Sequence, residues 1–217
     1  MKNATLIGLI VAIFGPMLLA GPFAKLFANP NAFKIKILGQ LSMWLLFAAI
    51  LSVILFWEKL PLSSIGYGPL SWKSVAFGAG LSLLQYGLST IWLPIMAKLG
   101  LGEFGSGLQK VNALPLWYLI FAVVTAGFVE ETLYRGYGIE RVAALTHNYW
   151  AAACMMAVIF GLVHTPTWGL GPSVGLIVLV IPGSIYYVLT RDLWALIILH
   201  IVTDSIGLIL IPKFVRQ

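Results

Sequence analysis

Residues 128–135 read Phe-Val-Glu-Glu-Thr-Leu-Tyr-Arg, placing two adjacent carboxylates and a guanidinium inside an otherwise apolar run. A charge near the centre of a membrane helix costs about 2.5–3.5 kcal/mol, so such groups persist mainly where they face a bundle interior. Helix geometry separates their roles. Glu131 and Arg135 are four apart and share a face; Glu130 points about 100° away. The expected arrangement is a Glu131–Arg135 structural pair that leaves Glu130 free for chemistry. Two more apolar runs carry ionisable groups, His164 four residues after Phe160, and His200 four residues before Asp204. A carboxylate and an imidazole around one water suit general-base activation of that water. A second imidazole with a carboxylate partner suits a developing oxyanion. The same four residues, Glu130, His164, His200 and Asp204, are also acceptable ligands for zinc or another divalent metal with an open water position. No serine or cysteine stands beside a histidine at matching depth, which argues against a covalent nucleophile. No His-Glu-x-x-His helix is present, which excludes the soluble zinc-protease arrangement.

These groups need helices to hold them. The chain has 217 residues, 60% hydrophobic and 9% charged, with a mean hydropathy of +0.98. A soluble domain carries roughly 25% charged residues, so this is a membrane protein. Apolar runs are expected to cross the bilayer at about 6–23, 37–57, 72–94, 114–140, 148–164, 173–189 and 193–211, each near the roughly 20 residues that a 30 Å hydrocarbon layer requires. The fold class is therefore all-α, a polytopic transmembrane helical bundle of about seven spans within a range of six to eight. Residues 1–217 form a single membrane-embedded domain, with N-terminal spans over 1–113 and the ionisable residues in a catalytic half at about 114–210.

The first run is expected to be a retained helix rather than a cleaved signal, because no small-residue cleavage site is clear. Loops are expected around Lys25, Lys34 and Lys36, around Glu58 and Lys59, and over residues 98–112, the longest polar break. Trp and Tyr near span ends are expected to be interfacial anchors. Gly171 and Gly175 have the spacing of a close helix contact. Cys154 is expected to be a small core residue, and His147 to be solvated beside a loop. The net charge of +6 comes from basic residues set singly at the ends of apolar runs, which fits lipid headgroups and not nucleic acid. With seven spans, Lys25 to Lys36, Lys213 and Arg216 share one side, and Lys2, Lys59, Lys73, Arg141 and Arg191 the other. The two sides nearly balance, so orientation is undetermined.

Depths overlap. At 1.5 Å per residue, Glu130 lies about 15 Å from a helix end near Glu140, His164 about 24 Å along a helix starting at Asn148, and His200 and Asp204 about 12 and 18 Å beyond Asp192.

At these residues the sequence resembles the CPBP family of intramembrane proteases, also called the Abi or type II CAAX prenyl endopeptidase family. Its pattern of EExxxR, FxxxH and HxxxN or HxxxD is matched by Glu130-Glu131-x-x-x-Arg135, Phe160-x-x-x-His164 and His200-x-x-x-Asp204. The resemblance implies peptide hydrolysis within the membrane, with water activated by Glu130 and His164. It assigns His200 and Asp204 to the oxyanion site or to a metal. Prenyl-protein proteases have Asn where this chain has Asp204, and a carboxylate opposes an oxyanion unless it is protonated or orients His200. The expected function is thus an intramembrane endopeptidase acting on a membrane-associated peptide or protein, of CAAX type or related to bacteriocin immunity. Its expected setting is the cell membrane, as a multi-pass protein. A proton-coupled transporter is the rival, weakened by the absence of matching inverted halves. A non-catalytic immunity or scaffold membrane protein is a third reading.

Overall fold

A computed structural model describes residues 2–20 and 33–212. Phe23, Lys25, Lys213 and Arg216 lie outside the described residues. Those described contain helices and no strand. The all-α bundle is borne out. Its elements are α1 (Lys2–Ala20), α2 (Phe33–Trp57), α3 (Trp72–Lys98), α4 (Gly105–Asn112), α5 (Leu116–Thr146), α6 (Tyr149–Trp168), α7 (Leu170–Thr190) and α8 (Leu193–Leu210). Among the described residues five helices, α2 and α5 to α8, are long and apolar enough to cross a membrane, and 3–19 form a shorter apolar helix. Within the described residues all seven expected runs fall on helices, and together they make an integral membrane protein. The outward surface is apolar, with Leu45, Phe56, Trp72, Leu83 and Leu189 all exposed, as a lipid-facing wall must be. Trp57, Trp117 and Trp150 are also exposed, near helix ends.

Polar side chains set the helix starts. Ser71 accepts a hydrogen bond from Ser74 N, Asn148 from Ala151 N and Asp192 from Ala195 N, each satisfying an orphan amide of a first turn. His147 is exposed and takes a left-handed conformation (φ 56°) that stops α5.

Close packing comes from small residues. Along the α3–α8 seam, a Cβ on Gly78 would lie 2.6 Å from Ala195 O. One turn on, Ser82 Oγ donates to Leu199 O at 3.1 Å. A further turn on, Tyr86 OH donates to Thr203 O at 2.5 Å. Partners advance in the same direction on both helices, so α3 and α8 run parallel and bring residues 199–204 to a fixed height. Gly171 and Gly175 do mark a close approach. A Cβ would meet the backbone Leu101 O at 1.8 Å in the first case, where only glycine fits, and the flexible end of Met96 (Sδ at 2.2 Å) in the second.

Several expectations about the ends of spans need correction. Lys34 and Lys36 are in the first turn of α2, which begins at Phe33, and the polar break at 98–112 holds the amphipathic helix α4. Glu58 does lie in the loop after α2, but it and Arg141 are buried partners. Glu58 accepts hydrogen bonds from Thr5 Oγ1 at 2.9 Å, Tyr137 OH at 2.9 Å and Arg141 Nε at 2.8 Å. Arg141 also donates to Ser64 O and Oγ. Arg191 pairs with buried Glu140, to which Tyr187 OH also donates at 3.0 Å. Arg141 therefore staples the loop after α2 to α5, and a headgroup-facing reading does not hold for it, whereas Arg191 reaches Glu140 with its own side chain 43% exposed.

Cys154 is exposed on α6, contrary to its expected place in the core. In a bilayer the lipid face is as apolar as the interior, so hydrophobicity does not say which way a small residue points.

Candidate active site

The site begins with a distortion. Residues Ala126–Ile139 in the middle of α5 form a π-helix, with i→i+5 pairing in place of i→i+4, a geometry usually confined to short bulges at functional positions. This stretch carries Glu130, Glu131, Tyr134 and Arg135. Glu131 and Arg135 are 4% and 5% exposed, with Arg135 Nη1 donating to Glu131 Oε1 at 3.1 Å. That same oxygen accepts from His200 Nδ1 at 2.7 Å, so Glu131 ties α5 to α8 as well as to its own helix. This second bond has no signature in the sequence, where the four-residue spacing pairs His200 with Asp204 alone. His200 Nε2 is 3.5 Å from Asp204 Oδ2.

His164 sits where α6 breaks, after Val163 and before the short turn Thr165–Trp168 with Pro166 near its start. Its Nδ1 is 2.7 Å from Phe160 O. A carbonyl only accepts, so Nδ1 carries the proton, and in the neutral ring Nε2 keeps a lone pair. That nitrogen is 3.6 Å from Glu130 Oε2, too long for a direct hydrogen bond and short enough for one water to touch both.

Phe160 is the platform for all of this. The Arg135 guanidinium lies 3.8 Å from its ring centroid, and the His164 ring packs against it at 4.6 Å. The His200 ring stands edge-on at 6.2 Å and the Tyr134 ring at 5.4 Å. The spacing of Phe160 and His164 thus has two physical causes, the backbone bond to Nδ1 and the ring contact one turn away.

These side chains open onto a cavity of about 720 Å³ lined by Glu130, Glu131, Tyr134, Arg135, Phe160, His164, His200, Thr203 and Asp204, among others from all the long helices. The structure therefore brings together every ionisable residue singled out in the sequence. Side-chain exposures of 19% for Glu130 and 20% for His164, against 5% for Glu131, set the cavity-facing pair apart from the buried one. Sequence reasoning missed Tyr134 and Thr203. The signal for Tyr134 was its position four residues after Glu130, on the same side of the helix.

Metal binding fits poorly. Among the described residues no three His, Cys, Asp or Glu side chains converge as ligands. His200 directs both ring nitrogens to carboxylates, which takes it out of the candidate ligand set.

A multi-pass helical membrane protein with a polar, carboxylate- and imidazole-lined cavity at mid-helix is the class that fold and site define. Residues 112–206, a little under half of the chain, match the family described as Type II CAAX prenyl endopeptidase Rce1-like. The match spans all three motifs and bears out the resemblance. No curated protein matches the chain, and no solved structure does.

Proposed function

We propose that the protein is an intramembrane endopeptidase that hydrolyses a peptide bond of a membrane-associated substrate, CAAX-type peptides being the class the family suggests. The observation that carries the reading is the 3.6 Å gap between Glu130 Oε2 and His164 Nε2 inside the cavity. A water in that gap donates one hydrogen to each acceptor, which turns its lone pair outward. As that oxygen attacks the scissile carbonyl, Glu130 takes a proton and the carbonyl becomes an oxyanion. The proton then passes to the amide nitrogen, the C–N bond breaks, and a carboxylic acid and an amine leave. His164 is fixed for this by Phe160, below it in the same helix. Glu131, Arg135 and Asp204 hold His200 in the wall of the cavity.

The test uses purified protein in lipid vesicles with farnesylated peptides ending in a Cys-aliphatic-aliphatic-X sequence, and with the same peptides lacking the lipid. Cleavage that disappears in Glu130→Gln and His164→Ala variants of intact fold, and that persists with a chelator, is the expected result. Proton-coupled uptake without cleavage would support a carrier instead. Cleavage undiminished in Glu130→Gln would overturn the assignment.

A further inference from the structure

Four buried side-chain atoms among the described residues have no hydrogen-bond partner: Glu130 Oε2, Tyr134 OH, Ser173 Oγ and Thr203 Oγ1. Three of the four belong to residues that line the cavity, Glu130, Tyr134 and Thr203. Buried polar atoms are nearly always paired, so each exception calls for an explanation. For Glu130 the explanation is the water of the hydrolytic step. Tyr134 needs another.

The other interior tyrosines all find partners. Tyr137 donates to Glu58, Tyr187 to Glu140, Tyr86 to Thr203 O and Tyr118 to Lys36 O, while Tyr67 shares a bond with Thr132. Tyr134 is 1% exposed, and its ring is held edge-on to Phe160, the same ring that carries Arg135 and His164. Its position is therefore fixed while its hydroxyl is left unused. Glu130 and Tyr134 are four residues apart on one side of α5, just as Glu131 and Arg135 are on the adjoining side. One stripe is a satisfied ion pair; the other is an unsatisfied acceptor followed by an unsatisfied donor.

An unpaired acceptor and an unpaired donor one helical turn apart, in residues that line one cavity, suit hydrolysis of a carbonyl compound, since a proton is removed from water on one side while negative charge grows on oxygen at the other. His200 is poorly placed to donate to that oxygen, because Glu131 and Asp204 face its two nitrogens. We propose that Tyr134 is a further catalytic residue, whose hydroxyl donates a hydrogen bond to the oxygen of the scissile carbonyl and holds it as the oxyanion of the tetrahedral intermediate. The proton stays on the phenol throughout. This assignment rests on the hydrolase reading above and adds to it the group that receives the developing charge.

The test is Tyr134→Phe, which removes one oxygen and keeps the ring against Phe160. Its melting temperature in detergent should equal or exceed that of the unmodified protein, because a buried unpaired hydroxyl is lost. Its kcat should fall about 100-fold with KM little changed, the size of effect seen when one oxyanion donor is removed. Tyr137→Phe is the control: it removes a hydroxyl bonded to buried Glu58, so it should lower the melting temperature. A Tyr134→Phe protein that cleaves at the original rate overturns the assignment. So does one that melts early or fails to fold, because the hydroxyl would then be structural. If the unmodified protein cleaves nothing, the hydrolase reading falls first and takes this with it; equal cleavage by both proteins sinks the tyrosine alone.

Discussion

Exchanging each of the two adjacent glutamates for glutamine separates holding the fold from doing the chemistry. Glu131 Oε1 receives bonds from Arg135 at 3.1 Å and His200 at 2.7 Å, with all three side chains largely out of solvent. Neutralising it leaves a buried guanidinium without its counter-charge, a change that typically costs about 3–5 kcal/mol. At roughly 2–4 °C per kcal/mol for a chain of this size, the Glu131→Gln protein should melt about 6–20 °C lower. Glu130 Oε2 has no hydrogen-bond partner, so Glu130→Gln removes no bonded charge and should shift stability by under about 1 kcal/mol. The assay is thermal unfolding in detergent followed by tryptophan fluorescence, with gel filtration to measure folded yield, and peptide cleavage on the same samples. The expected outcome is an inactive but stable Glu130→Gln protein and an unstable Glu131→Gln protein. Equal losses of melting temperature would refute the division of roles, and a Glu131→Gln protein as stable as the original would refute the claim that the buried pair matters.

Three further outcomes follow from the packing. Phe160→Leu keeps bulk but removes the ring under Arg135 and beside His164, so it should lower stability by about 1–2 kcal/mol and reduce cleavage more than that loss explains, as measured by melting and by rate at saturating peptide. Glu58→Ala strips Arg141, Tyr137 and Thr5 of a common acceptor, and folded yield should drop with a destabilisation of about 3–5 kcal/mol, with the loop at residues 58–66 becoming open to proteolysis. Cys154 is exposed on α6, so a membrane-permeant maleimide should label it in native vesicles, seen by mass spectrometry, while cleavage continues unchanged.

What was legible in the sequence follows from what a bilayer penalises. Long apolar runs declare helices because lipid leaves the backbone no other way to satisfy its polar groups. Glu130, Glu131, Arg135, His200 and Asp204 stood out because each sits deep within such a run, and His164 because it closes one, four residues after Phe160. Near the ends of runs that contrast fades. Glu58 reads as a loop charge and Arg141 and Arg191 as headgroup contacts, and only the fold shows Glu58–Arg141 as a buried ion pair and Arg191 paired with buried Glu140. Cys154 was misplaced because interior and exterior are equally apolar, so no periodicity marks the lipid face. The bond from His200 to Glu131 was hidden for another reason: it joins residues 69 positions apart, while the eye pairs His200 with the carboxylate four residues on. Tyr134 was passed over as one more aromatic in an apolar stretch, since what distinguishes it is a missing partner rather than a present one.

α5 has 31 residues, which at 1.5 Å per α-helical residue is at most about 46 Å, well beyond the roughly 30 Å of a hydrocarbon layer. A span of that length must lean, or carry its ends out among the headgroups, at a modest free-energy cost per ångström of mismatch.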